Sequence, residues 1–148
     1  NRMYIVSACL LGQNCKYNGG NNLNEEVVEF CKNHKYVTVC PESAGKLPTP
    51  RPPAERVGAS ILTKEGKDVT DAFVRGADIS LKSCMEMARI SGEEIEGAIL
   101  KANSPSCGIG QIYDGTFSGK LTEGNGVFAG MLKRLGVEII TEKEKIKW

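Results

Sequence analysis

The sequence predicts a three-layer α/β protein, with a mostly parallel open sheet, helices on both faces, and loops and a small β-hairpin over the carboxyl edge. Three observations carry this. Short apolar, β-branched runs at residues 4–9, 36–40, 97–101 and 137–140 alternate with longer segments of helical periodicity. The first three runs lead into turns rich in Gly, Pro, Ser or Asn. Strands alternating with helices are the pattern of parallel sheets built from right-handed crossovers.

Taken in order, the run Tyr-Ile-Val-Ser-Ala-Cys at 4–9 is a buried strand, followed by a loop at 10–20 too rich in Gly and Asn to be regular. A helix is expected from about Asn24, its N-cap, to His34. Glu25 and Glu26 occupy its first turn, and Lys32, His34 and Lys35 lie near its end, the polarity a helix dipole favours. Leu23, Val27, Phe30 and Cys31 would share its apolar face. After the strand at 36–40, residues 41–53 hold five of the six prolines and are expected to form neither helix nor strand. A short irregular strand is expected around 59–62, turning at Glu65-Gly66. The second helix, 71–90 with Thr70 as cap, carries Phe73, Ala77, Leu81, Cys84, Met85 and Ala88 at helical spacing. Past the strand at 97–101, Asp114-Gly115 predicts a hairpin over 111–118. A third helix runs from residue 125 or 126 to Leu135, ended by Gly136 at C′. The strand at 137–140 and a polar tail at 141–148 complete the chain. No linker, repeat or low-complexity segment interrupts it, so 1–148 is expected to be one Rossmann-like or flavodoxin-like domain. Such sheets collect ligands beyond the carboxyl ends of their strands.

Composition narrows the function classes. A formal net charge of +1 gives no electrostatic reason to bind nucleic acid or an anionic membrane, and 6% aromatics is a poor base-stacking platform. No apolar run approaches the ~18 residues of a membrane span, and no charged-then-apolar leader is evident, so a cytoplasmic location is expected. In a reducing compartment six cysteines point to metal binding or catalysis before disulfides.

The six sort into groups. Cys31 and Cys84 lie on the apolar stripes of their helices, where a thiol is a small core residue. Cys9, Cys40 and Cys107 instead stand at or just beyond strand ends, among residues not needed for packing. Their common position suggests a metal or cluster site over scattered structural thiols. Cys15, in the loop after the first strand, is compatible with a fourth ligand, a resolving thiol or a packing residue. Three neighbours belong to the same edge. Glu42, in Cys40-Pro41-Glu42, sets a carboxylate beside a thiolate. Ser104 opens Ser-Pro-Ser-Cys-Gly and is placed to donate a proton, to position a small molecule, or simply to shape the turn. Arg51, between prolines, is held stiffly, with Glu55 as a candidate partner. The only histidine, His34, sits at the far end of the first helix, which argues against Cys–His and Ser–His nucleophiles. There is no Walker-type loop, and Gly108-Ile109-Gly110 lacks the rest of a dinucleotide fingerprint.

Val6-Ser7-Ala8-Cys9-Leu10-Leu11-Gly12, Cys40-Pro41-Glu42, the 50–55 run Pro-Arg-Pro-Pro-Ala-Glu, Asp68-Val69-Thr70, the 101–108 run Lys-Ala-Asn-Ser-Pro-Ser-Cys-Gly and the 112–117 run Ile-Tyr-Asp-Gly-Thr-Phe resemble the thiouracil desulfidase family, long known only as a domain of unknown function. The resemblance spans nearly the whole chain in the right order. It implies a 4Fe-4S cluster held by three cysteines, here Cys9, Cys40 and Cys107, with the fourth iron left for a thiocarbonyl sulfur. The implied reaction is non-redox: water replaces sulfur on a small thiolated pyrimidine to give uracil. Glu42 matches the carboxylate that manages protons of the attacking water, and Ser104 the hydroxyl that assists at the substrate. Cys15 falls where the family pattern is not uniformly cysteine. Two other classes fit the residues: a non-catalytic Fe–S or zinc module, with Glu42 as a fourth ligand, and a zinc hydrolase with Cys-ligated metal.

Overall fold

The computed structural model describes all 148 residues. Its central sheet has four parallel strands in the order β2-β1-β5-β8: β1 Arg2–Ser7, β2 Tyr36–Val39, β5 Glu94–Leu100 and β8 Glu138–Thr141. The sheet alternates as a two-sided core requires. Ile5, Ala98 and Leu100 face α3 (Thr70–Ser91) and α4 (Val127–Arg134), against Ala77, Cys84, Phe128 and Leu132. Tyr4, Val6, Ile99 and Ile140 face α1 (Glu25–Lys32), against Val27, Phe30 and Cys31. The three layers of the expected fold are present, and Cys31 and Cys84 are core residues. No helix is long and apolar enough to cross a membrane.

The chain passes from β1 to β2 on one side, then returns across β1 to β5 on the other. This reversal is the topological switch beside which open sheets bind ligands. Adjacent strands lie about 4.8 Å apart, so the ends of β2, β1 and β5 fall within about 10 Å. Whatever follows those strands is brought together by topology alone.

Asn24 caps α1 as expected, its Oδ1 accepting from Val27 N at 3.1 Å, but the helix ends at Lys32. Leu23 is exposed, because it precedes the cap and never joins the helical face. Met85 is exposed too, one residue past the buried Cys84 and off the stripe. Val69, not Thr70, occupies the cap of α3. The Thr70 N–H is satisfied by Asp68 Oδ1 at 2.9 Å, which frees the Thr70 hydroxyl to accept from Ile61 N at 2.8 Å.

The expectation of no helix or strand in 41–53 fails at its start. Pro41–Ala44 forms one helical turn, α2, with Pro41 at the first position, where its missing N–H is harmless. Two strands, β3 Ala54–Val57 and β4 Ser60–Thr63, pair antiparallel where one irregular strand was expected. The hairpin predicted over 111–118 is wider: β6 Gln111–Tyr113 pairs with β7 Leu121–Glu123, and Asp114-Gly115 begins the loop between them. Gly136, at φ +81°, follows α4 as predicted. The C-terminal tail is less polar in effect than its sequence: Trp148 packs on Tyr4, ring centroids 5.2 Å apart, in a space that a Cβ on Gly97 would fill.

Candidate functional site

Each of the three strand-end cysteines is delivered by its own local structure. Cys9 lies in the single 3-10 turn Ala8–Leu11 that follows β1 directly. Cys40 is the N-cap of α2, immediately after β2. Cys107 ends a turn after β5 that is fastened to α4. The first-turn amides of α4 lack helical acceptors; Val127 N donates to Pro105 O at 3.0 Å and Phe128 N to Ser106 O at 2.9 Å. A Cβ on Gly126 would stand 2.4 Å from the Ser106 carbonyl carbon, so glycine permits this approach.

All three thiols line one cavity of about 450 Å³, together with Cys15, Glu42, Arg51, Ser104 and Ser106. Their charges act on one another. Cys40 raises Cys9, and Cys9 raises Cys107, on top of the larger effect of burial on each. Burial pushes the Cys107 thiol up to about 12. Cys40 goes the other way, to about 6, because the Cys15 thiol and then Ser43 favour its thiolate; Cys15 is raised in return. Ser43 Oγ lies 3.2 Å from Cys40 Sγ. Of the thiols lining the cavity, Cys40 is the one whose surroundings favour the thiolate.

Glu42 is held at both oxygens. Arg51 Nε donates to Oε1 at 3.1 Å, and the Ser106 hydroxyl donates to Oε2 at 2.9 Å. The guanidinium is itself spent on the cavity wall: Nη1 donates to Pro48 O (3.1 Å) and Thr49 Oγ1 (2.9 Å), and Nη2 to Cys15 O (2.8 Å). Arg51 therefore pairs with Glu42, not Glu55; the latter turns its carboxylate to backbone amides of the loop after β6. The turn that carries Glu42 is seated on α3 with no side chain between. A Cβ on Gly76 would stand 1.8 Å from Pro41 O, and one on Gly45 2.1 Å from Ala72 O.

Ser104 shapes the Cys107 turn. Its Oγ accepts from Cys107 N at 2.7 Å and from Ser106 N at 3.2 Å, and lies 3.1 Å from Ser106 Oγ. A continuous path of hydroxyls thus runs Ser104–Ser106–Glu42. Sequence reasoning passed over Ser106, two residues from Ser104 and chemically identical to it; only the fold shows which serine touches the carboxylate. Lys101, also lining the cavity, is paired with Glu142 at 3.2 Å, and its charge opposes the upward shift of Cys9. His34 stacks on Phe30 ahead of β2, at the opposite end of the sheet.

A mononuclear ion draws thiolates to about 2.3 Å from one point. No group of three or more Cys, His, Asp or Glu side chains is gathered that tightly. The cysteines stand around the wall of one cavity. Four thiols and no histidine line the cavity, a donor set that Fe–S clusters and all-cysteine zinc sites share.

A family model described as 2-thiouracil desulfurase matches residues 4–144. The chain is 41% identical over 152 residues to the uncharacterized protein YbbK of Bacillus subtilis (strain 168), covering 96% of this chain and 97% of that one. Among solved structures it superposes on the [4Fe-4S]-dependent thiouracil desulfidase TudS with a TM-score of 0.85 and 41% identity, over 97% of this chain and 92% of the other.

Proposed function

The chain belongs to the 2-thiouracil desulfurase family, and from that membership we propose that it hydrolyses the carbon–sulfur double bond of a thiolated pyrimidine of the 2-thiouracil type. The reaction exchanges the thiocarbonyl sulfur for a water oxygen, releasing uracil and hydrogen sulfide; no electron is gained or lost. The observation that carries the reading is the shared cavity: three thiols from three strand ends face the same space as a carboxylate fixed at both oxygens.

Cys9, Cys40 and Cys107 would hold the 4Fe-4S cluster on which the similar enzyme depends. A cluster with three protein thiolates supplies an open, thiophilic and Lewis-acidic iron position. Glu42 is the group that takes the proton of the attacking water. Each of its oxygens accepts one hydrogen bond and keeps a second lone pair for that water. Arg51 and Ser106 fix the carboxylate's orientation, so its reach into the cavity is set before substrate arrives. Ser104, on the cavity wall, holds the Cys107 turn through two amides and donates its own O–H to Ser106, so it acts at the substrate through the Ser106–Glu42 path. Cys15 approaches Cys40 and shifts it towards thiolate without being needed as an anchor.

Anaerobic reconstitution with iron and sulfide, then addition of 2-thiouracil, tests this reading. Loss of the thiocarbonyl absorbance with one uracil and one sulfide formed per substrate is the expected result. Protein loaded with iron and acid-labile sulfide that leaves 2-thiouracil untouched would overturn it.

A further inference from the structure

We infer that Phe117 is the aromatic surface on which the heterocycle of the substrate stacks, and that Glu55 is the positioning residue that presents it. The inference rests on the desulfuration reading and adds to it the face that recognises the ring.

The chain has four phenylalanines. Phe30, Phe73 and Phe128 are buried in the apolar cores on either side of the sheet and beneath β4. Phe117 belongs to none of these cores and stacks on no other aromatic side chain; it is half-buried, and the space it borders is the cavity of the cysteines. Folding therefore gains little from this large ring, whereas a ligand in the cavity would cover it.

Its backbone is also held in a sparsely populated conformation, φ +55°, which an aromatic residue adopts at a cost. Such strain persists only where the surroundings over-determine it. Here they do. Glu55, buried on β3, accepts through one oxygen from both Gly115 N (3.0 Å) and Phe117 N (3.1 Å). Gly115, at φ +93°, lies so close to β3 that a Cβ would stand 2.5 Å from Arg56 O. Asp114 accepts from Thr116 N at 2.9 Å and closes the turn between them. A buried carboxylate from one hairpin thus fixes the loop of another at the residue whose ring borders the site.

A planar pyrimidine has polar edges and an apolar π face, and an aromatic side chain is the group that recognises that face without regard to substituents. With thiols and Glu42 on other parts of the wall, stacking on Phe117 would fix the plane in which the thiocarbonyl lies. The ring would bind substrate and transition state alike, so its loss should appear in KM and leave kcat.

The experiment uses the reconstituted protein, with 2-thiouracil kinetics and calorimetric binding of uracil measured in parallel. Phe117→Leu, which keeps apolar bulk and removes the π face, should raise KM and the uracil Kd about tenfold or more with kcat within about twofold. Phe117→Tyr should bind like the parent. Glu55→Ala should reproduce the Phe117→Leu defect, and Glu55→Gln, whose amide oxygen can still accept both N–H groups, should restore it. An active parent whose KM and uracil affinity are unmoved by Phe117→Leu would overturn the inference while leaving the reaction standing. A loaded parent that binds uracil in a Phe117-dependent way but releases no sulfide would instead sink the reaction and keep the ring's role.

Discussion

Replacing Arg51 by Met should leave a folded protein that is markedly less stable, and the amount follows from the contacts. The Arg51 side chain is 5% exposed and donates four hydrogen bonds, one to the Glu42 carboxylate and three to neutral oxygens. Methionine fills a similar volume, so packing is largely kept and the polar loss is isolated. Removing one partner of a buried ion pair costs about 3–5 kcal/mol. Glu42 is 18% exposed and borders an open cavity, so water can reach it and the lower end applies, about 3 kcal/mol. The neutral acceptors rehydrate in part, adding about 1 kcal/mol. Against a total of about 5–15 kcal/mol for a domain of this size, the variant stays folded. Its melting temperature should fall roughly 10 °C at about 2–4 °C per kcal/mol. Urea unfolding followed by circular dichroism measures the change, with an unaltered slope as the sign that the folded state is intact. Glu42→Gln, which keeps an amide oxygen for Arg51, should cost about 1 kcal/mol. The double variant should be about 1–2 kcal/mol more stable than the sum of the two predicts. Additive losses, or an Arg51→Met cost below about 1 kcal/mol, would show that the clamp drawn here does not hold Glu42.

Further outcomes are expected at the same site. Glu42→Gln should assemble its cluster normally, by iron and sulfide content, yet lose about 100- to 10,000-fold in turnover, because an amide cannot take the water's proton; lost iron would make the carboxylate a ligand. Cys15→Ser should keep near-normal iron content and activity, whereas serine at Cys9, Cys40 or Cys107 should each abolish loading, since a three-ligand site has no spare anchor. A Cys15→Ser protein that loads no iron would raise the ligand count to four. Gly76→Ala should destabilise by at least about 1–3 kcal/mol in urea titration, because the methyl would meet the Pro41 carbonyl oxygen at 1.8 Å; a neutral result would show that α2 can shift freely.

Much of this architecture is written in local sequence. Asn24 followed by two glutamates announces α1, and Gly136 ends α4, because capping is a matter of a few adjacent residues. Cys9, Cys40 and Cys107 stood out because each stands among turn residues at or beyond a strand end. The expectation that none is needed for packing fails for Cys107, which the fold buries in the apolar core beside Ile5 and Phe128, and for Cys9, which packs against the core on the other face. What escaped was settled by contacts between distant segments. The Ala54–Val57 strand carries Glu55 and Arg56, whose charges hide it, and exists because β4 pairs with it. Pro41 looked like a breaker but starts a helical turn that docks on glycine in α3. Arg51 was expected to pair with Glu55, four residues on, and the folded loop turns it to Glu42 instead. Ser104 and Ser106 differ in nothing but the direction the turn gives them.

The contact between α2 and α3 has a mechanical consequence. Side chains are the compliant part of a protein interface: they change rotamer, tilt and accommodate. At Gly45 and Gly76 there are none, and main chain rests on main chain. The wall of the cavity that bears Glu42 is therefore a hard stop, referred to the longest helix in the molecule. The wall formed by the 12–22 loop rests instead on hydrogen bonds and turns. Any change in the cavity's width as a molecule enters or leaves must be taken up there, so the carboxylate serves as the fixed datum against which the rest of the site adjusts.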